Sequence, residues 1–553
     1  MSIAESCAEE LFKTNPMVFQ AVDPQSGLES TGRSRIAAFS PPSVNEKILR
    51  NSLWSAAGKF FCIPLNLLLV PFVLACLGPE RYGLWVGLFA LVDYAMLFEL
   101  GVGAATIKFA AEFKANADAG RLGSLAATAL LLCLFFVPPL AAAFGFAPEI
   151  LAILRLAPAG SEEAVRVFRW VLALFALTQL QSVFRNLLIG LQQIHFTNLC
   201  EIVYFLFYAL VTVLILQGGG GIGQLVVGVF VLRAALGVAE VWLFLRATPQ
   251  RLRSSWRPDR RIAARLLGYG GRLQLTSLAG LLNFQYDKLL IGYVLRTEFI
   301  AFYELGSKLA ALVRFLPSAL IGPLIPAASE LCADKQTESL SALYREATRY
   351  LVLAAAPITA ILVFHADALC ALWLGGQADP GAALALRWLA VAYFFNIATG
   401  AANAIGRGTG RLRPEMEAMA AISVLNVCSS LAFILLWGYP GVLAGTALSM
   451  AAGNLLYLRR FGRLLREPWG RFLARTLAGP VACAVAAGAA SRLLFLALSP
   501  EASAASRVEL LLALAASLLG FALLFSVGLW LSRSVALQDF LRARKALALM
   551  RRW

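Results

Sequence analysis

The chain alternates between long apolar runs and short polar links, and the runs are long enough to cross a bilayer. A spanning helix needs roughly 20 apolar residues, and lipid offers the backbone no hydrogen-bond partners, so such runs must be helical. The pattern predicts an all-α, polytopic membrane protein with about 14 transmembrane helices. The predicted spans are 50–77, 82–107, 122–146, 164–190, 194–217, 222–246, 265–295, 298–328, 345–374, 382–406, 414–437, 441–459, 473–498 and 505–532.

The composition agrees with this pattern. Hydrophobic residues make up 59% of the chain and charged residues only 14%, and the mean hydropathy is +0.73. These values lie far from those of a soluble globule of similar length. The apolar surface is therefore expected to face lipid as well as a protein core.

The links between the predicted spans are of two kinds, which alternate along the chain. Links such as 246–265 and 459–475 are rich in arginine, whereas 78–81, 218–223 and 375–380 carry almost no basic residues. The positive-inside rule then predicts that both termini are cytoplasmic and that the number of spans is even. The net charge of +16 is interpreted as setting this topology and contacting anionic lipid, with no nucleic acid as partner.

The sequence contains few residues that could bind a metal or a cofactor. There are two histidines, and the nine cysteines follow no regular spacing and mostly lie inside predicted spans. These features favour small apolar packing residues over a disulfide framework or a metal site. The sequence predicts no metal, no cofactor and no catalytic residue.

Two similar turns suggest an internal repeat. Residues 77–85 and 295–303 both connect an odd predicted span to the next even one, six spans apart. Duplicated bundles around a shared cavity are common in transporters. The predicted organisation is a cytoplasmic, disordered leader 1–45, an N-terminal six-helix lobe 46–247, a basic cytoplasmic lobe linker 248–264, a C-terminal six-helix lobe 265–466, and appended helices 13 and 14 with a basic cytoplasmic tail 467–553.

Several strings in the two halves resemble a known family. Residues 77–85 read LGPERYGLW, 98–103 read FELGVG, 109–112 read FAAE, 287–292 read DKLLIG and 326–330 read PAASE. They resemble the signature of the polysaccharide-transporter branch of the multidrug/oligosaccharidyl-lipid/polysaccharide (MOP) flippase superfamily, which includes the O-antigen and exopolysaccharide flippases. Glutamate stands in FELGVG where the family usually has aspartate, which preserves the charge.

The resemblance implies a fold, a function and partners. It implies two MATE-like six-helix lobes that flip undecaprenyl-pyrophosphate-linked oligosaccharide from the cytoplasmic to the periplasmic leaflet of the bacterial inner membrane by alternating access. The implied partners are the lipid-linked oligosaccharide, the lipid bilayer and the polysaccharide polymerase machinery.

Basic residues inside the spans are the candidates for binding an anionic headgroup. An ionisable group in a span by default faces a cavity or a partner, and a pyrophosphate needs cations to replace its water. Lys59, Arg272, Lys308 and Arg314 meet this description. An alternative is that Glu304 neutralises Lys308 four residues away on one helix, and that the two arginines extend to the cytoplasmic interface.

Acidic residues inside the spans are the candidates for ion coupling to H⁺ or Na⁺. These are Asp93 and Glu99 in the second predicted span and Asp287 in the seventh. The alternative is structural, with Asp93 and Glu99 paired to basic residues of neighbouring helices and Asp287 paired to Lys288 or Lys308.

Other functions remain open at the level of sequence. A MATE-type drug/cation antiporter would need an acid-rich cavity, and a lipid II flippase would share the span count. A glycan-handling enzyme would need paired carboxylates or a large outer loop, whereas the predicted outer links have at most about 18 residues. The sequence therefore predicts a transporter and not an enzyme.

Overall fold

A computed structural model describes residues 44–94, 101–116, 118–135, 137–156, 161–247, 256–334, 336–498 and 507–532. The predicted leader 1–45 lies almost entirely outside these ranges, as do residues 248–255 of the predicted lobe linker and the end of the C-terminal tail. The described helices after Asn51 pack within one compact unit.

The described residues of the first half are helical almost throughout. The helices are α1 (Val44–Asp93), α2 (Val102–Ala115), α3 (Ala119–Leu134), α4 (Val137–Gly145), α5 (Ala147–Ile153), α6 (Glu162–Gly190), α7 (Ile194–Gln217), α8 (Ile222–Ala247) and α9 (Arg260–Val294).

The second half continues in the same way, with a short 3₁₀ turn at Gly375–Gln377 and a π-helical turn at Leu473–Ala478. Its helices are α10 (Thr297–Ala310), α11 (Leu312–Ser318), α12 (Leu324–Ala333), α13 (Thr337–Phe364), α14 (Ala366–Leu374), α15 (Pro380–Ala398), α16 (Gly400–Gly408), α17 (Arg413–Trp437), α18 (Tyr439–Leu464), α19 (Trp469–Phe472), α20 (Gly479–Leu498) and α21 (Arg507–Leu531).

The predicted all-α, polytopic fold is confirmed. Within the described residues, 11 helical segments are long and apolar enough to cross a bilayer. The count differs from the predicted fourteen at three places. Predicted spans 50–77 and 82–107 meet at the non-helical backbone of Gly78, so α1 consists of two helices that are counted as one apolar segment. Span 265–295 is the more polar helix α9, and span 298–328 is divided among α10, α11 and α12.

Polar residues placed just before several helices explain where those helices begin. Ser161 accepts a hydrogen bond from the Ala164 amide at 3.3 Å and caps α6. Asp259 caps α9 in the same way, as Asp379 caps α15. Such side chains satisfy backbone amides that have no partner inside the helix.

Two breaks in regular helical structure lie within α1 and directly after α10. Gly78, with φ of 76°, is the one residue of α1 recorded with non-helical backbone, a conformation that favours glycine. It lies in the predicted tight link between spans one and two. The other break follows α10, where α11 contains Pro317 and Pro323 precedes α12, because proline cannot donate the backbone hydrogen bond that continues a helix.

The helices pack in two groups, and α9 contacts both. In one group α6 packs on α2, α3 and α8, and α7 packs on α8. In the other, α15 packs on α10, α13 and α18, and α17 packs on α18. Helix α9 contacts α2 and α3 at one end and α10, α17 and α18 at the other. This arrangement makes α9 a lining element between the groups, while the predicted lobe boundaries stay a prediction.

The first group contains an ion-paired cluster across three helices. Glu201 of α7 pairs with Arg185 of α6 and lies 3.8 Å from Arg233 of α8. Arg233 also stacks over the Tyr204 ring at 3.7 Å. Arg233, near the middle of predicted span 222–246, is thus held by contacts with α7.

Helices α20 and α21 pack on each other and attach to the second group through polar contacts. The Ser491 hydroxyl lies 2.8 Å from Nε2 of His365 and donates to the Ser517 carbonyl at 2.8 Å. Arg492 reaches Asp367 at 3.5 Å. The appended helix pair is therefore docked on the junction of α13 and α14.

Large apolar side chains on the outer helix faces are exposed, as expected for lipid contact. On α7, Leu206, Phe207, Leu210 and Leu214 are all more than two fifths exposed. The spacing of these residues keeps them on neighbouring turns. The exposed apolar face of α7 is thus suited to the bilayer.

Candidate functional site

A cavity of about 220 Å³ lies between α1 on one side and α9 and α10 on the other. Aromatic and apolar side chains from α1 form one wall, and charged side chains from all three helices meet within it. The lining residues are Tyr82, Trp85, Val86, Phe89, Ala90, Asp93, Gln285, Lys288, Glu304 and Lys308.

A carboxylate between two lysines dominates the charged wall. Lys288 Nζ lies 2.8 Å from Glu304 Oε2, and Lys308 Nζ lies 3.6 Å from Glu304 Oε1. Each carboxylate oxygen therefore meets a different ammonium group. The three side chains are between 12% and 25% exposed, so these contacts are poorly screened by solvent.

Two neutral amides hydrogen-bond to charged residues of the cavity. Lys308 donates to Oδ1 of Asn66 at 3.2 Å, which joins α10 to α1. Gln285 donates to Oδ2 of Asp93 at 2.8 Å, which joins α9 to α1. Helix α1 is therefore linked by polar side chains to both α9 and α10.

The formal charges in this cavity balance. Lys288 and Lys308 stand against Asp93 and Glu304, so the described lining carries two positive and two negative groups. The sequence predicts a headgroup site in which cations dominate, with the alternative that Glu304 neutralises Lys308 on the same helix face. The alternative pairing is present in the structure.

Asp287, the residue before Lys288, faces away from the cavity into a second polar site. It is fully buried, and its Oδ2 accepts from the Thr446 hydroxyl at 2.7 Å and from the Tyr303 hydroxyl at 2.9 Å. Both of these hydrogen bonds come from hydroxyl groups, and Lys288, which the sequence allows as a partner of Asp287, pairs with Glu304 instead.

More oxygen atoms surround this buried carboxylate. Ser430 and Ser449 donate to Oδ1 of Asn426 at 3.1 and 3.2 Å, and Asn426 and Ser430 both face Asp287. Within the described residues, neither Oδ1 of Asp287 nor Nδ2 of Asn426 has a hydrogen-bond partner of ordinary geometry. Oxygen donors around a buried carboxylate are a suitable environment for a hard cation or a proton.

Arg314 lies beyond the cavity on α11. Its guanidinium is 3.9 Å from the centre of the Tyr393 ring. A cation over an aromatic face is stabilised even where water is scarce. Arg314 is thus held by an aromatic ring and is not among the residues that line the cavity.

Three predicted site residues are not described in the same detail. The side chains of Lys59 on α1 and Arg272 on α9 lie outside the described part of the structure, and Glu99 lies outside the described residues altogether. Of the seven candidates, Asp93 and Lys308 line the cavity, Asp287 adjoins it from behind, and Arg314 is set apart by Tyr393.

Backbone contacts bracket the cavity at its predicted outer end. A Cβ at Gly83 of α1 would lie 1.9 Å from the carbonyl oxygen of Thr297, and a Cβ at Gly292 would lie 2.6 Å from the Leu156 side chain. Helix α1 therefore approaches α10 at a distance that only glycine permits. The Arg155 guanidinium also stacks over Tyr293 at 5.3 Å.

A second set of contacts lies at the predicted cytoplasmic end. A Cβ at Gly101 would lie 2.2 Å from the Gly270 carbonyl oxygen. Arg265 pairs with Glu112 at 2.6 Å, and Lys108 lies 4.2 Å from the centre of the Tyr269 ring. Along α9, Gln285 and Lys288 fall between these contacts and those at Gly292.

Sequence reasoning missed two parts of the site. It treated Lys288 and Glu304 only as neutralising partners, although adjacent opposite charges at Asp287 and Lys288 inside an apolar run are an uncommon signal. It also overlooked Asn426 and Thr446 around Asp287, since isolated polar residues in spans are equally explained by helix packing.

Solved structures with a similar arrangement of helices include transport proteins. An inward-facing multidrug resistance transporter of the MATE family, MOP superfamily, matches 73% of this chain and 95% of its own length, with 16% identity and a TM-score of 0.65. The lipid II flippase MurJ, inward closed, matches 86% and 99% with 15% identity and a TM-score of 0.66. At these identities the likeness defines the fold, which is that of a multi-pass membrane transporter.

The family follows from the sequence itself. A family profile described as "Polysaccharide biosynthesis protein" matches residues 73–381, more than half of the 553 residues. The chain belongs to this polysaccharide biosynthesis family, and its fold is the one seen in the MATE-family transporter and in MurJ. The resemblance seen in the sequence is thereby confirmed. No curated protein matches the chain at a significant level.

Proposed function

We propose that this protein is a flippase that moves undecaprenyl-pyrophosphate-linked oligosaccharide from the cytoplasmic to the periplasmic leaflet of the bacterial inner membrane. The membership in a polysaccharide biosynthesis family supports a glycan-related cargo. The observation that carries the proposal is the pair of lysines, Lys288 and Lys308, that line the cavity between α1 and helices α9 and α10.

Two ammonium groups at one wall suit a pyrophosphate better than a neutral sugar alone. Charge-assisted hydrogen bonds to phosphate oxygens are short and roughly twice as strong as neutral ones. Lys288 and Lys308 already share one anionic group through its two oxygens. The cavity therefore has the geometry to place two cations around a single anion in a region shielded from water.

The size of the cavity and its two end contacts support alternating access. A volume of about 220 Å³ lies below the roughly 300–1,000 Å³ of sites for drug-sized ligands, so it suits a phosphate group better than an oligosaccharide. Admission of a sugar chain would require the helices around the cavity to separate at one end. The glycine contacts at Gly83 and Gly101 are the places where such separation would occur.

Asp287 is the proposed site of ion coupling, with H⁺ or Na⁺ as the ion. Its buried carboxylate has hydroxyl partners on α10 and α18, so binding or loss of a cation changes the contacts of both helices. Because Lys288 is the next residue on α9, a change at Asp287 is transmitted directly to the cavity wall. Asp93, held by Gln285, is the second acidic candidate.

The test is the sidedness of the lipid-linked glycan in cells that lack this gene. Cells complemented with wild type are expected to expose the precursor at the outer face, whereas Lys308→Gln leaves most of it on the cytoplasmic face. Asn66→Ala serves as the matched control, because it removes the partner of Lys308 on α1 and keeps the charge.

The alternatives give different results in the same cells. If the precursor reaches the outer face without the protein and sensitivity to cationic drugs rises, the protein is an antiporter. If peptidoglycan precursors accumulate instead of the polysaccharide precursor, it is a lipid II flippase. Either result overturns the proposal.

A further inference from the structure

Glu304 occupies the position between Lys288 and Lys308 that an anionic ligand would need. Its two oxygens take one lysine each, at 2.8 and 3.6 Å, and all three side chains line the cavity. A phosphate group binds two ammonium groups in the same bridging manner, with a different oxygen for each. Both lysines thus have an anion already, supplied by the chain.

Charge balance makes this arrangement informative. The described lining contains Lys288 and Lys308 against Asp93 and Glu304, so a phosphate that entered would add negative charge to a neutral cavity. Two buried lysines without an anion would also be costly between the passages of successive substrates. A carboxylate of the chain that moves aside would leave the two lysines free to bind the phosphate, and its return would pair them again after the phosphate has left.

We propose that Glu304 is the internal counter-anion of the cavity and that the substrate's phosphate displaces it from Lys288 and Lys308. The inference rests on the proposed function, because it takes a phosphate-bearing headgroup as the ligand. Glu304 then has two roles in the cycle. It keeps the lysines paired when no substrate is present, and its return to them helps to expel the phosphate on the other side.

The distances indicate which lysine exchanges first. Lys308 is farther from Glu304 than Lys288 is, and its side chain is more exposed, at 25% against 12%. Its ammonium group also donates a hydrogen bond to Asn66 at 3.2 Å. The contact of Lys308 with the carboxylate is therefore the weaker of the two. The incoming phosphate therefore meets Lys308 first and Lys288 second.

The experiment measures binding of inorganic pyrophosphate to the purified full-length protein by isothermal titration calorimetry. Glu304→Gln keeps the shape and removes the competing charge, so its affinity for pyrophosphate is expected to rise about tenfold over wild type. Glu298→Gln is the matched control. It makes the same change on the same helix, but Glu298 pairs with Arg296 at 3.2 Å outside the cavity lining, and its affinity is expected to change by less than about twofold.

The outcomes separate this inference from the proposed function. If wild type binds pyrophosphate and Glu304→Gln binds it no more tightly, or if Glu298→Gln gains as much, Glu304 is not a competitor and the inference fails while the proposed function stands. If neither wild type nor Glu304→Gln binds pyrophosphate, or if Lys308→Gln binds it as tightly as wild type does, the proposed headgroup site itself fails and the inference falls with it.

Two further measurements protect the test against a folding defect. Glu304→Asp shortens the side chain and keeps the charge, so it is expected to weaken one lysine contact and give an affinity between those of wild type and Glu304→Gln. In a reconstituted flipping assay, a variant that binds tightly and releases slowly lowers both KM and kcat. A fall in kcat with unchanged KM and unchanged pyrophosphate affinity would contradict the exchange.

Discussion

Glu304 and Lys308 stand four residues apart on one helix, a spacing that places their opposite charges on the same helix face and predicts an ion pair. The pairing is present in the structure at 3.6 Å. What the sequence could not supply is Lys288, which comes from another helix and makes the closer contact. Contacts between helices depend on how the helices are rotated and packed, and apolar spans encode that rotation only weakly.

The two lysines are expected to differ in their effect on stability. Lys288→Met removes the 2.8 Å partner of Glu304 and leaves a buried carboxylate with one distant lysine, so the free energy of unfolding should fall by roughly 3–5 kcal/mol. Lys308→Met removes only the longer, more exposed contact and should cost about 1 kcal/mol or less. Thermal unfolding of the purified variants in detergent checks the order, and equal losses would contradict it.

Asp287→Asn is expected to remove ion dependence while the protein stays folded. The amide keeps the size of the carboxyl and still accepts hydrogen bonds from Tyr303 and Thr446, but it can neither bind a proton nor carry the charge that holds a cation. Flipping rates measured across Na⁺ concentration and across pH should vary with one of these in wild type and with neither in the variant. Asp93→Asn is the comparison, and a variant of Asp287 that retains the full ion response would assign coupling elsewhere.

At the scale of the helices, apolar length predicts most of the elements. Predicted spans 194–217 and 222–246 agree with α7 (Ile194–Gln217) and α8 (Ile222–Ala247) to within a residue at each end. The disagreements fall on the helices that line the cavity. Helix α9 carries six charged residues, and proline divides the segment after α10. Lining helices are less apolar and more broken because polar groups and free backbone are tolerated beside a cavity.

The contact between α1 and α10 predicts opposite results for two glycines. Gly83→Ala forces a methyl group against the Thr297 backbone and should destabilise this conformation by about 1–3 kcal/mol, as overpacking does. Gly268→Ala on α9 adds a methyl group where no atom lies within 4 Å, and should be neutral or raise stability by about 0.5–1 kcal/mol. Thermal unfolding of both variants decides, and a stable Gly83→Ala protein would show that the close approach is absent.

At the scale of the whole molecule, apolar length, composition and charge asymmetry predict an all-helical, multi-pass membrane protein, and the fold confirms it. The lobe division at 46–247 and 265–466 stays a prediction. The chain length and hydropathy cannot reveal which ends of the cavity are in contact. That depends on small residues such as Gly83 and Gly101, whose importance appears only when the neighbouring backbone is known.

The most direct test of the account is a flipping assay with purified protein in liposomes that contain undecaprenyl-pyrophosphate-linked oligosaccharide, read out by a glycan-cleaving enzyme added outside. Wild type is expected to equalise the two leaflets rapidly, Lys308→Gln to slow this at least about tenfold, and Asn66→Ala to stay near wild type. If wild type moves the lipid no faster than protein-free liposomes, under an imposed gradient of either H⁺ or Na⁺, the cavity does not serve the cargo proposed for it.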